Sequence, residues 1–325
     1  MADHTKIEWT EATWNPITGC SVISPGCTNC YAMKLAGTRL QHHESRKGLT
    51  VDSRAGPVWT GEVRFNEQWL DQPLRWKRPR MIFVCAHGDL FHESVPDEWI
   101  DRVFAVMALA PQHTFQVLTK RSARMREYIC DLESEAHQAT VRRMVDAWPK
   151  GHLIPEGGII VNGPNVWLGV SVEDQARANE RIPDLLHTPA AVRWLSCEPL
   201  LGEVDLTFVH FENDRGGREC FDALDLHLRE GETFKDDSCT ATVDWVVVGG
   251  ESGSGARPML AEWARGLRDQ CEAARVPFFF KQWGNYRPVD GADGVQMVPC
   301  AKAEAGRHLD GVLHDAMPTG LEGVN

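Results

Sequence analysis

Short, nearly continuous apolar runs alternate along the chain with segments whose apolar residues recur at helical spacing. Runs that are apolar throughout are typical of strands buried on both faces of a sheet. The apolar runs predict strands, of which the first two are the weakest, at Trp14–Ile17, Val63–Phe65, Met81–Cys85, Thr114–Leu118, Val166–Val170, Val192–Leu195, Trp245–Val248 and Pro277–Phe280. The helical spacing between them predicts helices at Tyr31–Leu40, Glu67–Trp76, Asp97–Ala110, Glu173–Leu186 and Glu262–Ala274.

This alternation of strands and helices predicts an α/β fold with a parallel sheet. Eight candidate strands within about 285 residues favour a (β/α) barrel, full or partial and TIM-like, over an open sheet. We place the barrel in residues 1–287 and a C-terminal tail in residues 288–325. Residues 202–242 interrupt the pattern with an irregular, acidic stretch, which we interpret as a loop insertion between two late strands.

Polar residues follow most of the predicted strands directly. In a parallel α/β fold the carboxyl ends of the strands open on one side, where ligands bind. The candidates for binding a cofactor are Asp89, Ser171, Glu173, Glu198, Gly249, Gly250 and Glu251, and the candidates for catalysis are Lys120 and Lys281. The two glycines would let a ligand approach the backbone closely, because they carry no Cβ. At each single position, an ordinary solvated turn is the alternative.

The net charge and the apolar content of the chain limit the classes of protein that the sequence fits. The net charge of −12 excludes a basic surface over the whole chain, but basic stretches remain at Arg75–Arg80 and around Lys120. Met1–Trp9 has no apolar segment of the secretory type, and no apolar run reaches the ~20 residues that span a bilayer. We therefore expect a cytoplasmic protein without a membrane partner. Cysteines stay reduced in the cytoplasm, so clustered cysteines indicate a metal site or a reactive site rather than disulfides.

Three of the ten cysteines, Cys20, Cys27 and Cys30, lie in one loop with the spacing C-x6-C-x2-C. The turn signal Ser24-Pro25-Gly26 can fold Cys20 back toward the other two. Three thiolates leave a four-coordinate site one ligand short. Because a [4Fe–4S] cluster usually takes four cysteines, three would leave one iron open to bind a substrate or a cofactor.

Other interpretations of these motifs stay open. A structural zinc ion could take the three thiolates and a histidine, for instance His42 or His43. Three unrelated buried thiols are a further alternative, and a thioredoxin-like redox pair would leave Cys20 unexplained. The glycine-rich segment 249–255 could cradle a phosphate, but it lacks both the P-loop lysine and the dinucleotide-binding spacing.

The three-cysteine loop after the first predicted strand resembles that of the radical S-adenosylmethionine (SAM) superfamily, although its first gap is six residues rather than the more common three. The chain as a whole is more similar to a phage and bacterial family of three-Cys-motif proteins. The stretches that carry this second resemblance are Thr13–Ala32, Pro79–Phe91, Val95–Arg121, Val166–Arg181, Val192–Leu206, Trp245–Met259 and Val276–Gly284.

The resemblance implies a [4Fe–4S] cluster on Cys20, Cys27 and Cys30, with SAM bound at the open iron. It also implies cleavage of SAM to a 5′-deoxyadenosyl radical, which takes hydrogen from a substrate. The Cys-Tyr-Ala ending of the loop resembles that of DNA-repair radical SAM lyases, which favours nucleic acid or a nucleotide as substrate. The family's frequent pairing with a separate protein implies a protein partner. The alternative is a zinc- or cluster-stabilised, non-catalytic binding protein of phage or mobile-element origin.

Overall fold

The computed structural model of the chain describes residues 5–148, 160–212, 217–225, 241–291 and 294–318. The helices in these ranges are α1 (Tyr31–Gly37), α2 (Asp97–Leu109), α3 (Ser122–Leu132), α4 (Glu135–Asp146), α5 (Gln175–Leu186), α6 (Ala261–Ala274) and α7 (Lys302–Ala305). The strands are β1 (Ala12–Trp14), β2 (Ile17–Thr18), β3 (Thr50–Ser53), β4 (Gly56–Trp59), β5 (Arg64–Phe65), β6 (Met81–Val84), β7 (Thr114–Thr119), β8 (Val166–Ser171), β9 (Val192–Cys197), β10 (Val209–Glu212), β11 (Arg218–Phe221), β12 (Trp245–Gly249), β13 (Phe278–Gln282), β14 (Tyr286–Gly291), β15 (Gly294–Pro299), β16 (His308–Leu309) and β17 (Val312–Leu313).

Seven strands form a parallel sheet in the order β1-β6-β7-β8-β9-β12-β13. The strands lie in the sheet in the same order as along the chain, as they do in a (β/α) barrel. In a doubly wound sheet the order of the strands reverses partway across the sheet. The predicted α/β fold with a parallel sheet is confirmed, and the strand order is consistent with a partial TIM-like barrel. The described sheet has seven strands rather than eight, because β5 pairs antiparallel with β2 outside it.

Two of the predicted helices differ most from the observed ones, and a third, predicted from Glu173, begins at Gln175. The spacing in Glu67–Trp76 predicts one helix, but the structure has two short 3₁₀ turns, Glu67–Trp69 and Pro73–Arg75. Pro73 explains the interruption, since proline has no backbone N–H to donate inside a helix. The first predicted helix ends early as well, at Gly37 instead of Leu40.

The chain divides into two compact units. The first comprises Met1–Leu168 and Thr188–Ala191, and the second comprises Gly169–His187 and Val192–Asn325. In the first unit β6 pairs in parallel with both β1 and β7, and α2 buries a broad apolar side. In the second unit β12 pairs in parallel with β9 and β13, and the buried rings of Trp194 and Trp245 lie 5.5 Å apart.

The chain after β13 is attached to the strands of the second unit. The carbonyl of His314 accepts a hydrogen bond from the Phe280 N–H at 2.9 Å, and the carbonyl of Ala316 accepts one from Trp245 Nε1 at 2.9 Å. Leu309 is fully buried. The described part of the predicted tail therefore packs as an ordered part of this unit.

The predicted acidic insertion is described only in part. Strands β10 and β11 form an antiparallel hairpin within it. Its acidic positions 214, 236 and 237 lie outside the described residues. None of the helices in the described ranges combines the length and the apolar character that crossing a bilayer requires.

Candidate functional site

The three cysteines lie in the loop between β2 and α1. Cys27 ends a 3₁₀ turn that begins after Ser24, and Cys30 directly precedes the helix. The Cys30 N–H donates to the carbonyl of Cys27 at 3.2 Å. Cys27 is buried, while Cys20 and Cys30 are half-buried and pack against an apolar cluster of Ala32, Met33, Ala36, Leu49 and Trp59. The loop thus holds all three thiols at the protein interior.

The thiols influence one another electrostatically. Burial raises the pKa of Cys20 to about 12, the nearby Asp89 adds to the rise, and Arg121 opposes it. Negative charge on Cys27 or Cys30 raises the pKa of Cys20 further. Burial also raises the pKa of Cys30, against the lowering effects of backbone hydrogen bonds and of Lys120. The charges that act on Cys20 and Cys30 are therefore those of the neighbouring thiols, of Asp89, and of the cations Arg121 and Lys120.

The arrangement does not match a single metal ion. Within the described ranges, no three His, Cys, Asp or Glu side chains are grouped so that they could hold one ion. His43, a candidate fourth ligand for zinc, instead bonds through Nδ1 to Ser45 Oγ at 2.7 Å, and its ring lies 5.9 Å from that of Trp69.

The cysteine loop is fixed by its backbone to the end of β6. The Gly19 N–H donates to the carbonyl of His87 at 3.2 Å, and Gly19 forms a parallel bridge with Gly88. Gly19 has φ +98°, and a Cβ there would lie 2.2 Å from the carbonyl oxygen of Glu62. A Cβ at Gly88 would lie 3.0 Å from the carbonyl oxygen of Ile17. Both positions therefore require glycine for this close approach.

Arg121 connects the loop to the strand ends. Its Nη1 donates to Cys20 Sγ at 3.4 Å and to Asp89 Oδ2 at 3.1 Å. Its Nη2 donates to Ser21 Oγ at 2.7 Å, and its Nε donates to Glu93 Oε1 at 3.2 Å. Since these bonds run to separate segments, the guanidinium group sets the position of Cys20 relative to β6 and β7.

Asp89, a predicted cofactor ligand, lies at the centre of this network. Its Oδ1 accepts hydrogen bonds from Thr119 Oγ1 at 2.7 Å and from the Phe91 N–H at 3.0 Å. Its Oδ2 accepts from the Lys120 N–H at 3.3 Å as well as from Arg121. Each oxygen thus accepts two hydrogen bonds from the protein, so a ligand would have to displace one of them.

Predicted residues of the second unit are also engaged with protein partners. Glu173 pairs with Arg181 at 2.9 Å, and their side chains are 0% and 1% exposed. Arg181 Nη1 also donates to the carbonyl of Ser171 at 2.8 Å. Glu251 accepts from both Nε and Nη2 of Arg257, at 3.0 and 2.7 Å. These two carboxylates, which follow strands, therefore bind arginine side chains of the protein.

At Gly249 and Gly250, other residues of the protein occupy the space that a side chain would fill. Lys281 Nζ lies 3.0 Å from Glu198 Oε1, and a Cβ on Gly249 would lie 2.5 Å from that same oxygen. A Cβ on Gly250 would lie 2.0 Å from the carbonyl oxygen of Trp283. The sequence correctly indicates close approach at these positions, but in this structure the approaching groups are Glu198 and Trp283.

The predicted site residues divide between the two units. The first contains Cys20, Cys27, Cys30, Asp89 and Lys120, and the second contains Ser171, Glu173, Glu198, Gly249, Gly250, Glu251 and Lys281. The two basic stretches lie at opposite strand ends, because Arg75–Arg80 precedes β6 while Lys120 follows β7. The sequence gives no signal at Arg46, which belongs to no motif with a known spacing, whereas His87 and His92 flank Asp89 as H-x-D-x-x-x-H, a pattern that allows a metal site but is more typical of polar active-site residues or a helix cap.

A comparison with protein families gives one match. The family model, described as a protein of unknown function (DUF5131), matches residues 4–318. Neither the comparison with curated proteins nor the comparison with solved structures gave a match. The match spans nearly the whole chain, both compact units included.

Proposed function

We propose that this chain, which belongs to the DUF5131 family, is an iron–sulfur enzyme of the radical SAM type on a partial (β/α) barrel. The observation that supports the proposal is the loop in which Cys27 and Cys30 act on the pKa of Cys20, with Arg121 and Lys120 nearby. Three thiolates leave one iron of a [4Fe–4S] cluster open to bind SAM.

The donor set fits this group in its chemistry, because thiolates are the usual ligands of iron–sulfur clusters. When bound, the cluster and SAM would supply the electron transfer that cleaves SAM and generates a hydrogen-abstracting radical. The chain's own residues bind and orient. Arg121 donates to Cys20 Sγ, which favours the thiolate, and it fixes the neighbouring Ser21. The burial of Cys27 keeps water from that part of the loop.

Anaerobic reconstitution with iron and sulfide tests the proposed cluster. We expect a brown protein with about four irons per chain, and much less iron in C20A, C27A and C30A. The matched control is C130A, since Cys130 is an exposed cysteine on α3, away from the loop. A colourless protein that binds one zinc ion would overturn the proposal in favour of a zinc-stabilised binding protein.

The radical chemistry needs its own measurement. With dithionite as the reductant, we expect the reconstituted protein to convert SAM to 5′-deoxyadenosine and the C30A variant to form none. A protein that keeps its cluster but leaves SAM intact would contradict the enzymatic part of the proposal and favour a cluster-stabilised, non-catalytic binding protein.

The proposed substrate is nucleic acid or a nucleotide, and a separate protein partner remains a prediction. The support for the substrate class is the Cys-Tyr-Ala ending of the loop and the cations Lys120 and Arg121 next to it. Cations at a site favour substrates that carry phosphate. Formation of 5′-deoxyadenosine that increases when DNA, RNA or nucleotides are added would identify which of these is the substrate.

A further inference from the structure

Arg46 is a buried arginine of the first unit with no acidic partner among the residues that the structure describes. The residue is 4% exposed. Its Nη1 donates to the carbonyl and the Oγ of Ser45, at 3.3 and 2.7 Å, and its guanidinium carbon lies 6.0 Å from the ring centre of Trp69. Its buried Nε makes no hydrogen bond to any described residue. A buried charge without a counter-charge is costly, so Arg46 requires an explanation.

The groups that act on Arg46 include a second cation, Arg64. Burial lowers the pKa of Arg46 to about 10 and Arg64 lowers it further, while Tyr31 and Cys85 act in the opposite direction. Arg64 is itself bound to the carbonyls of Glu44 and Lys47, neither of which neutralises it. Burial, together with the charge of Arg46, lowers the pKa of His87 to about 4. The result is a region of positive potential at the protein interior.

His87 supplies a second polar atom that lacks a partner. Its Nδ1 is buried and forms no hydrogen bond with any described residue. The ring meets the ring of Tyr31 edge-on, with centroids 5.9 Å apart. Cys85, at φ +56°, begins the turn that positions His87, and strained backbone of this kind persists where the surrounding structure enforces it, which is commonly at functional sites.

We propose that Arg46, Arg64 and His87 form a binding site for the phosphate group of a ligand. A phosphate would supply both the missing counter-charge and the acceptor atoms for the fork of N–H groups on Arg46. His87 in its Nδ1–H form would donate a further hydrogen bond to the phosphate.

The site adjoins the cysteine loop. Thr18 Oγ1 donates to the carbonyl of Ser45 at 2.7 Å, the carbonyl of His87 accepts from the Gly19 N–H, and Tyr31 directly follows Cys30. The phosphate site as such stands on Arg46, Arg64 and His87. That this phosphate belongs to the substrate rests on the proposed function, which favours a nucleotide or nucleic acid.

Thermal unfolding of the full-length apo protein tests the site, with inorganic phosphate as the probe and chloride to match the ionic strength. We expect Tm of the wild type to rise saturably with phosphate. R46M removes the unpaired charge, so it should be at least as stable without phosphate and should show no saturable rise. R54Q, a change on the exposed turn between β3 and β4, is the matched control and should respond as the wild type does.

Two outcomes would overturn the proposal. They are a wild type without a saturable response and a response that R46M retains. Should R46M fail to fold, R46K keeps the charge but loses the planar fork, and H87F removes the second donor. In each of these two variants we expect the Kd for phosphate to rise at least about tenfold, and an unchanged Kd in both would overturn the proposal.

Competition against inorganic phosphate separates the sources of the phosphate group. A nucleoside monophosphate that competes indicates a terminal phosphate, and an oligonucleotide without terminal phosphates that competes indicates a phosphodiester. Acetate that competes equally well would overturn the specificity for phosphate. A wild type that takes up iron but shows no saturable response to phosphate refutes this inference alone, while absence of a cluster refutes only the proposed function.

Discussion

Two buried arginine–carboxylate pairs at strand ends differ in what else the arginine contacts. In the second unit Arg181 pairs with Glu173 after β8, and both side chains are essentially inaccessible. The one further carboxylate contact of Arg181 in the described residues, 4.0 Å from Nε to Glu180, lies within the same helix. In the first unit Arg121 pairs with Asp89 after β6, but it also reaches Glu93, whose side chain is 60% exposed. Arg121 further donates to Ser21 and Cys20 in the cysteine loop.

The comparison shows that a buried arginine–carboxylate pair can stabilise the fold alone or can also fix the position of a loop. A pair sealed in the interior stabilises the fold only as long as both charges are present, since either charge alone would be buried without compensation. An arginine that also reaches a loop couples the position of that loop to the strands. We therefore expect changes at Arg181 and Glu173 to affect stability alone, and changes at Arg121 to affect the loop as well.

The largest effect is expected when the sealed pair is broken. E173L leaves Arg181 charged and buried, which should lower the free energy of unfolding by about 3–5 kcal/mol. The double variant E173L/R181M should recover most of this loss, because an apolar pair of similar volume needs no counter-charge. Urea unfolding measures both effects. A double variant as unstable as E173L would contradict the view that the charge itself is the cause.

A smaller loss of stability, with a second consequence, is expected for Arg121. R121Q should cost about 2–3 kcal/mol, because Asp89 retains its hydrogen bonds from Thr119 and from two backbone N–H groups. It should also lower the iron bound per folded chain after reconstitution, unlike E173L/R181M. The control is R124Q, which breaks a pair with the exposed Asp97 and should cost less than about 1 kcal/mol. Equal iron in R121Q and the wild type would remove the distinction between the two pairs.

A third ion pair, Glu198–Lys281, depends on glycine at position 249, because a side chain there would displace Glu198. G249A should cost about 1–3 kcal/mol, since its Cβ forces Glu198 Oε1 away from a separation of 2.5 Å. G266A is the matched glycine control in α6, where the nearest neighbouring atom lies 4.0 Å from the added Cβ. That variant should be neutral or more stable by up to about 1 kcal/mol. Thermal unfolding of the two variants side by side compares them, and equal stabilities would contradict the steric account.

The smallest effect is expected at a pair with an exposed partner. His137 lies between Asp101 and Asp131, with its Nε2 and Nδ1 at 2.7 and 2.6 Å from their oxygens. Burial acts to lower the pKa of His137, but the two carboxylates outweigh it and raise the pKa. Tyr128 also faces the ring and donates to Asp101.

The raised pKa fixes the sign of the pH dependence. The stabilisation is fully present below the unfolded pKa of about 6.5, and it is lost as the pH rises through the higher folded pKa. H137Q should remove this loss, which we expect to be below about 1 kcal/mol because Asp131 is 70% exposed. Urea unfolding across that pH window measures it, with H42Q, a change at an exposed histidine, as the control. A wild-type slope that persists in H137Q would assign the pH dependence to another group.

Much of the sheet could be predicted from the sequence, because a strand buried on both faces is apolar throughout. The predicted strands are too short where the observed strand ends in polar residues, as at Thr119 in β7 and Gln282 in β13. Backbone pairing continues there, but the apolar pattern does not. Pro73 divides a segment whose spacing predicts a single helix, since a pattern of apolar residues does not register a missing N–H.

The candidate site could be predicted where its residues share a short segment. Cys20, Cys27 and Cys30 are neighbours in the chain, so their spacing alone indicates a common role. Arg46 and His87 are forty-one residues apart in sequence, and their proximity exists only once the chain has folded. No spacing rule links them, and a single arginine in a loop is ordinarily solvated.

The close approach of Gly19 to Gly88 has a practical consequence for protein engineering. The cysteine loop is fixed to β6 through backbone atoms, so its anchoring does not depend on the side chains at its surface. Val22 and Ile23 belong to that surface, at 46% and 41% exposed. These two positions are therefore suitable for attaching probes or for redesigning contacts with other molecules without displacing the thiols.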